Sequence, residues 1–334
     1  MSKIICIGSA TKDIFFPTNE GVIFDTPDDV TAQKKIAFEL GAKYHIAKRY
    51  ETLGGCSVNV AVGLARLGES VRCQAAIGND VVGKWICKQL AEEGITVDEF
   101  ETITGLASDL SAIIVDEKSG ERTIFSNHDA SLKFSVKEKI LVDADWLFVS
   151  DLSGEWKENL QRVFSSARKN NIKIAFNPRQ QMLHEDCGFV PKVIADCDVV
   201  FVNKDEAIEI ISSTKKEQGI KKDDELLNDE EYLIGELKKI GAGVVVITDG
   251  IRGAWGHDGN ELLHVDALVV DAVDTTGSGD AFSSGFLGAY IKGKSLEDSL
   301  KWGIINSSNS VKFYGGQEGL LGVEKIEAVA KSLE

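Results

Sequence analysis

A chain of 334 residues with 43% hydrophobic and 27% charged residues carries enough apolar matter for a large core and has none of the bias of a disordered protein. Its formal net charge of −16 argues against a nucleic-acid-binding surface, which needs clustered Lys and Arg, so an anionic ligand must be held by local devices against an unfavourable overall field. No apolar run is long enough to span a membrane, and cysteines at 6, 56, 73, 87, 187 and 197 show neither a Cys-x-x-Cys pair nor metal-ligand spacing with the five histidines. They read as reduced thiols of a cytoplasmic protein.

Lys3 to Gly8 is too short an apolar run for a signal peptide and reads as a first strand. Asp13 to Leu53 lacks any helix-then-strand rhythm, and the structure of its part from Gln33 to Tyr50 stays open. Val58 to Gly68 has helical spacing, Val71 to Ile77 reads as a strand and Val82 to Glu93 as a helix. Between these, Gly78-Asn79-Asp80-Val81-Val82-Gly83-Lys84-Trp85 nearly spells a nucleotide loop, but Trp85 replaces the hydroxyl that would bind Mg²⁺, and a nucleotide role is rejected. Ser108 to Phe125 also breaks the rhythm, as a β-hairpin of Leu110 to Val115 and Glu121 to Phe125 about Lys118-Ser119-Gly120. Trp146 to Ser150, Ile172 to Asn177, Val199 to Val202 and Val244 to Thr248 are short apolar runs with amphipathic stretches between them. Ser213 to Glu231 is charge-rich and reads as a solvated surface excursion. The alternation predicts an α/β fold, a central, mostly parallel sheet with helices on both faces. Ligands of such sheets bind beyond the carboxyl ends of the strands, where Asn177, Asn203 and Thr248 fall.

Asp274 to Phe282 reads Asp-Thr-Thr-Gly-Ser-Gly-Asp-Ala-Phe and leads into a helix with Ala281, Phe282, Gly285, Phe286, Ala289 and Tyr290 on one face. Glycines allow tight turns there, and free N–H groups at a helix start stabilise phosphate oxygens. Gly277, Ser278 and Gly279 are therefore candidate donors to a transferred phosphoryl group, with Asp280 the base that receives a hydroxyl proton. The dipole at the helix start is expected to lower the pKa of Asp280 and keep it ionised. Read alone, the segment is more readily a helix cap without chemistry, a common use of these residues.

Three further segments decide between these readings: Gly54-Gly55-Cys56-Ser57-Val58-Asn59-Val60-Ala61, Asn203-Lys204-Asp205-Glu206 and Thr248-Asp249-Gly250-Ile251-Arg252-Gly253. With them the chain resembles the ribokinase-like, or PfkB-type, carbohydrate kinases, from the first strand to Gly315-Gly316-Gln317-Glu318-Gly319. The resemblance implies an ATP-dependent phosphotransferase that phosphorylates a hydroxyl of a small sugar or sugar-like substrate by direct in-line transfer. It also implies an α/β nucleotide-binding and catalytic domain of residues 1–12, 54–107 and 126–334. Residues 13–53 and 108–125 would be a small β lid over the substrate, through which a homodimer could form.

By the same resemblance, Asp13, Gly54, Gly55 and Asn59 contact the acceptor, while Thr248, Gly250 and Gly253 form the nucleotide turn. Asn203 and Glu206 serve Mg²⁺, largely through water. Asp274, Thr276, Gly315 and Gly319 are candidates for a K⁺ site, and Ile77, Gly78, Asp80 and Gly83 match an element with a mainly structural role. Two residues keep two readings each. Asn306 either borders the adenine or packs helices. Arg179 contacts either a substrate carboxylate or phosphate, or only a surface acid. The rival of the same fold is a nucleoside kinase, which aromatic residues over a base would favour; Phe15, Phe16 and Phe125 leave that open. Rivals of other classes are a catalytically silent sensor and a nicotinamide-binding protein, and Gly8-Ser9-Ala10 lacks the fingerprint of the latter.

Overall fold

The apolar runs form strands whose alternate side chains enter two different cores, as the pleat requires. Val200, Val202, Val245 and Ile247 join Leu147 and Phe176 on one face, while Val199, Phe201, Val244 and Val246 join Phe148 on the other. Both faces are covered, which is why these strands read as continuous hydrophobic runs. The computed structural model describes residues 1–26, 34–217, 219 and 226–333. Its main sheet has eight strands in the order Leu262–Val265, Ala254–His257, Val244–Thr248, Val199–Asn203, Lys173–Asn177, Trp146–Ser150, Lys3–Ile7 and Ser70–Gln74. The last six are parallel, and the first two are added antiparallel at one edge.

Helices Cys56–Arg66, Ser278–Ile291 and Leu296–Ser310 cover one face through Val58, Leu64, Phe282, Phe286 and Ile304. Helices Trp156–Asn170, Lys204–Glu217 and Glu230–Ile240 cover the other through Leu160, Val163, Ile210, Leu233 and Leu237. From Lys3–Ile7 the chain goes outward to Ser70–Gln74 on one side and then to Trp146–Ser150 on the other. That reversal opens a crevice at the carboxyl ends of the central strands, where a ligand site is expected.

A second, four-stranded sheet of Arg122–Asn127, Asp109–Asp116, Thr11–Thr18 and Tyr50–Gly54 stands over this crevice, with Val22–Asp25 and Lys34–Ala37 paired as a separate two-stranded ribbon. The expected hairpin is present, one residue longer at its start and two at its end.

Two expectations need correction. Val71 to Ile77 is not one strand: Gln74 forms the last rung with Ile7, the partner turns away after Gly8, and Ala76–Gly78 pairs instead with Glu101–Ile103. The charge-rich run from Ser213 to Glu231 begins as the end of helix Lys204–Glu217, and its residues 218 and 220–225 lie outside the described ones. The near-Walker segment is structural. Asp80 caps helix Val81–Glu92 by accepting from the Gly83 amide at 2.7 Å, and its other oxygen accepts from the Ser108 amide at 2.8 Å, tying the helix start to the foot of the hairpin. Among the described residues no helix is long and apolar enough to cross a membrane.

Candidate active site

A cleft of about 670 Å³ lies between the carboxyl ends of the main sheet and the four-stranded sheet. Of the residues singled out in the sequence, Asp13, Gly55, Asn59, Arg179, Asn203, Thr248, Gly250 and Thr276 to Asp280 line it. They come from six separate stretches of chain.

Gly277 is the N-cap of helix Ser278–Ile291 at φ +72°, and a Cβ there would lie 2.6 Å from Gly316 Cα. Only glycine lets the turn pass so close to the neighbouring backbone. Ala281 N–H closes the first helical bond to Gly277 O at 2.8 Å. The amides of Gly277, Gly279 and Asp280 donate to no acceptor among the described residues, whereas Ser278 N–H bonds Thr275 O at 3.3 Å. The unpaired donors at the helix start are thus Gly277, Gly279 and Asp280 rather than Gly277 to Gly279.

Asp280 is 4% exposed. Its Oδ1 accepts from Arg179 Nη2 at 2.5 Å and its Oδ2 from Asn59 Nδ2 at 2.9 Å. Burial raises the Asp280 carboxyl above its ordinary value, with Arg179 and Asn59 pulling the other way. The dipole argument fails in sign here because desolvation outweighs it. Arg179, on the loop after Lys173–Asn177, meets an acid, but a buried one inside the site. Asn59 is fixed in turn by Gln317 Nε2, which donates to its Oδ1 at 2.9 Å.

Asp13 faces the same cleft from strand Thr11–Thr18, with its buried Oδ1 unpartnered. A Cβ on Gly54 would lie 2.0 Å from Asp13 Oδ2, so Gly54 makes room for this carboxyl and is itself off the cleft wall, while Gly55 is on it. Burial pushes the Asp13 carboxyl up to about 6, against the opposing pull of the Ser111 hydroxyl. With the folded-state value above the unfolded one, stability is greatest below pH 4 and is lost as pH rises through about 6. Asp13→Asn is therefore expected to be more stable than the parent at pH 7.5, by at most about 3 kcal/mol for a shift of this size, with the gain shrinking towards zero near pH 4. Denaturant unfolding at the two pH values checks this, and an equal difference at both would overturn it.

Beside the cleft is a cavity of about 260 Å³ with apolar walls, including Leu268, Val269, Phe282 and Ile304, and with Thr248, Gly250 and Gly253 at its rim. Thr275, Ser278 and Gly279 line both spaces, so the two meet at the glycine loop. Asn306 lines neither. It is fully buried, donates to Ala281 O at 2.9 Å and Ser284 Oγ at 3.1 Å, and accepts from Leu321 N–H at 2.9 Å, so of its two readings helix packing holds.

Asn203 and Glu206 form a reciprocal cap: Asn203 N–H donates to Glu206 Oε2 and Glu206 N–H to Asn203 Oδ1, both at 2.9 Å. Asn203 is on the cleft wall with Asp205, and Glu206 lies behind it, where burial raises its carboxyl to about 7. Asp274 accepts from Thr276 N–H at 3.0 Å, Thr276 Oγ1 at 2.7 Å and Gly315 N–H at 2.9 Å, which brings three of the four K⁺ candidates together. Gly319 stands apart, since its carbonyl accepts from Asn309 Nδ2 at 2.7 Å.

Among the polar residues of the cleft that sequence reasoning missed, three are ionisable. Asp151 follows strand Trp146–Ser150 at φ +54° and accepts from Ser9 Oγ, His128 pairs through Nδ1 with Asp109 Oδ2 at 3.0 Å, and Arg122 projects from the hairpin. Each is a single polar residue at or near a strand end, and only the strand-end rule for parallel sheets could have pointed to Asp151.

The profile of the family described as "pfkB family carbohydrate kinase" matches residues 22–320. The chain is 24% identical to an ATP-dependent 6-phosphofructokinase of Thermoanaerobacterium thermosaccharolyticum, with 94% of this chain and 98% of that one covered. It is 27% identical to a ribokinase of Haemophilus influenzae, with 84% and 86% covered. Among solved structures, a putative ribokinase II from E. coli superposes with a TM-score of 0.80 at 21% identity, covering 99% of this chain and all of that one.

Proposed function

This chain belongs to the pfkB family of carbohydrate kinases, and from that premise we propose how its cleft divides the work of moving a phosphoryl group from ATP to a sugar hydroxyl. The observation that carries the reading is the meeting, at one glycine loop, of three unpaired amides, a buried carboxylate and the rim of an apolar cavity. The cavity takes the nucleotide base, with Thr248, Gly250 and Gly253 beside it. The amides of Gly277, Gly279 and Asp280 hold the oxygens of the transferred group, which cost nothing to orient because the helix has already fixed them. Asp280 receives the hydroxyl proton. Arg179 and Asn59 occupy one acceptor position on each oxygen and leave a lone pair for the hydroxyl, and a carboxylate whose pKa is raised by burial is the better proton acceptor. The four-stranded sheet acts as a lid, and Asp13, with its unpartnered oxygen, orders the sugar by accepting from a hydroxyl.

Mg²⁺, which neutralises charge on the phosphates, fits the acidic wall of Asn203, Asp205 and, through water, Glu206, because it needs few protein oxygens. K⁺ fits the carbonyls of Asp274, Thr276 and Gly315, which accept no hydrogen bond among the described residues. The acceptor side favours a sugar over a nucleoside: no Phe, Tyr or Trp among the described residues lines the cleft, Phe15 is fully buried near Tyr314, and Phe125 is exposed. The enzyme acts in the cytoplasm on small molecules, as a homodimer joined through the lid.

The test is coupled ADP release over neutral sugars, sugar phosphates, sugar acids and nucleosides, in K⁺ and in tetramethylammonium. The expected result is acceptor-dependent release with at least one sugar-class compound, higher in K⁺. Release with nucleosides alone would overturn the substrate reading, and equal rates in the two cations would remove K⁺.

A further inference from the structure

Four side chains that are or can become cations line the cleft: Arg122, His128, Arg179 and Lys204. Three have carboxylate partners, Arg179 with Asp280 at 2.5 Å, Lys204 with Glu230 at 2.6 Å and His128 with Asp109 at 3.0 Å. Arg122 makes no ion pair among the described residues, although the chain carries 53 acidic residues against 37 Lys and Arg. Its Nη1 donates to the Thr275 hydroxyl at 2.8 Å, and its buried Nε has no hydrogen-bond partner among the described residues. A buried guanidinium N–H without an acceptor is costly to keep, and a ligand oxygen would relieve it.

The lid places this arginine by register. Strand Arg122–Asn127 runs antiparallel to Asp109–Asp116 with Ser126 opposite Ser111 and Arg122 opposite Val115, and Ser111 is in turn opposite Asp13. Arg122, Ile124, Ser126 and His128 therefore share the face that looks into the cleft. Arg122 stands four residues along its strand from Ser126 in the Asp13 row, and its contact, Thr275, lies on the wall common to cleft and nucleotide cavity, two residues before Gly277.

We propose that Arg122 is a catalytic residue of the phosphoryl transfer, leaving the Thr275 hydroxyl in the loaded cleft to take oxygens of the phosphoryl group in transit. The proposal rests on the kinase reading. As the bond from the γ-phosphorus to the ADP oxygen breaks and the bond to the sugar oxygen forms, the sugar proton passes to Asp280 and negative charge stays on the equatorial oxygens. The planar guanidinium can offer these oxygens two parallel donors in addition to the glycine-loop amides. Because Arg122 rides on the lid, full charge stabilisation would be reached only with the lid over the substrate.

The experiment compares wild type, Arg122→Ala and Arg122→Lys in two measurements, with thermal unfolding as a check on the fold. Steady-state turnover is expected to fall about 10²-fold in the alanine variant, equally with neutral and acidic acceptors, and less in the lysine variant. In calorimetric titration the alanine variant should lose the wild-type preference for a non-hydrolysable ATP analogue over ADP. Wild-type turnover in Arg122→Ala, or an undiminished preference for the analogue, would overturn the proposal. So would a loss confined to KM for sugar phosphates and acids, which would assign the guanidinium to the acceptor. Should wild type release no ADP with any acceptor, the kinase reading falls, and the titration still decides whether Arg122 binds the terminal phosphate.

Discussion

Asp280→Asn is expected to lower turnover by roughly 10²–10⁴-fold, the usual contribution of a positioned general base, while the protein stays folded. Asparagine is nearly isosteric and keeps an oxygen for the Asn59 amide, so the helix start need not move. What it loses is the ability to accept a proton, together with the counter-charge for Arg179. The variant should be measurably destabilised, because Arg179 is left without its counter-charge in a largely buried place, and removing a carboxylate that burial disfavours offsets only part of that loss. Nucleotide affinity should hold, since the amides of Gly277 and Gly279 and the apolar cavity are untouched. Turnover and nucleotide titration on the folded variant separate these effects. Wild-type turnover would remove Asp280 as the base, and a matching loss of nucleotide binding would mean that the loop had collapsed.

Gly277→Val should be as damaging by a different route. The residue sits at φ +72°, which a β-branched side chain adopts only at a cost of about 1–3 kcal/mol. Its Cβ would also fall 2.6 Å from Gly316 Cα and 3.3 Å from Asn59 Nδ2. The first neighbour is backbone and cannot swing aside, and the second holds Asp280. The loop must shift, and displacement of reacting groups by about 1 Å costs on the order of 10²-fold in rate. Gly279→Ala is the control for stability, since a Cβ there meets nothing within 4 Å. Denaturant unfolding should show Gly277→Val destabilised by about 2 kcal/mol or more and Gly279→Ala close to the parent. Equal stability of the two variants would contradict the close-approach argument.

The sheet and its two helical layers were legible in the sequence because strands buried on both faces and amphipathic helices leave periodic signals. The glycine loop was legible because turns and anion contacts demand glycine, and Asp280 because it follows that loop directly. What the sequence hid is contact between distant residues. Arg179 meets Asp280 across 101 positions, and no local pattern says that one caps the other. The sign of the Asp280 shift was hidden for the same reason, because helix position can be read from sequence while burial by distant elements cannot. Asn306 kept two readings in the sequence, and only the contacts with Ala281, Ser284 and Leu321 show its amide satisfied within the helices. Gly54 looked like a contact, and instead clears space for Asp13. Asp151 and Arg122 sit in no motif, and only strand pairing and sheet order bring them to the cleft.

The central claim is that the glycine loop holds a phosphoryl group in flight while Asp280 takes the acceptor proton. A crystal structure with ADP, a metal fluoride mimic of the transferring group and the acceptor found by the ADP-release screen tests it most directly. The account predicts the fluoride against the amides of Gly277, Gly279 and Asp280, with the acceptor oxygen about 2.6–3.2 Å from the Asp280 carboxylate. An acceptor hydroxyl turned from Asp280 and facing another base would contradict it.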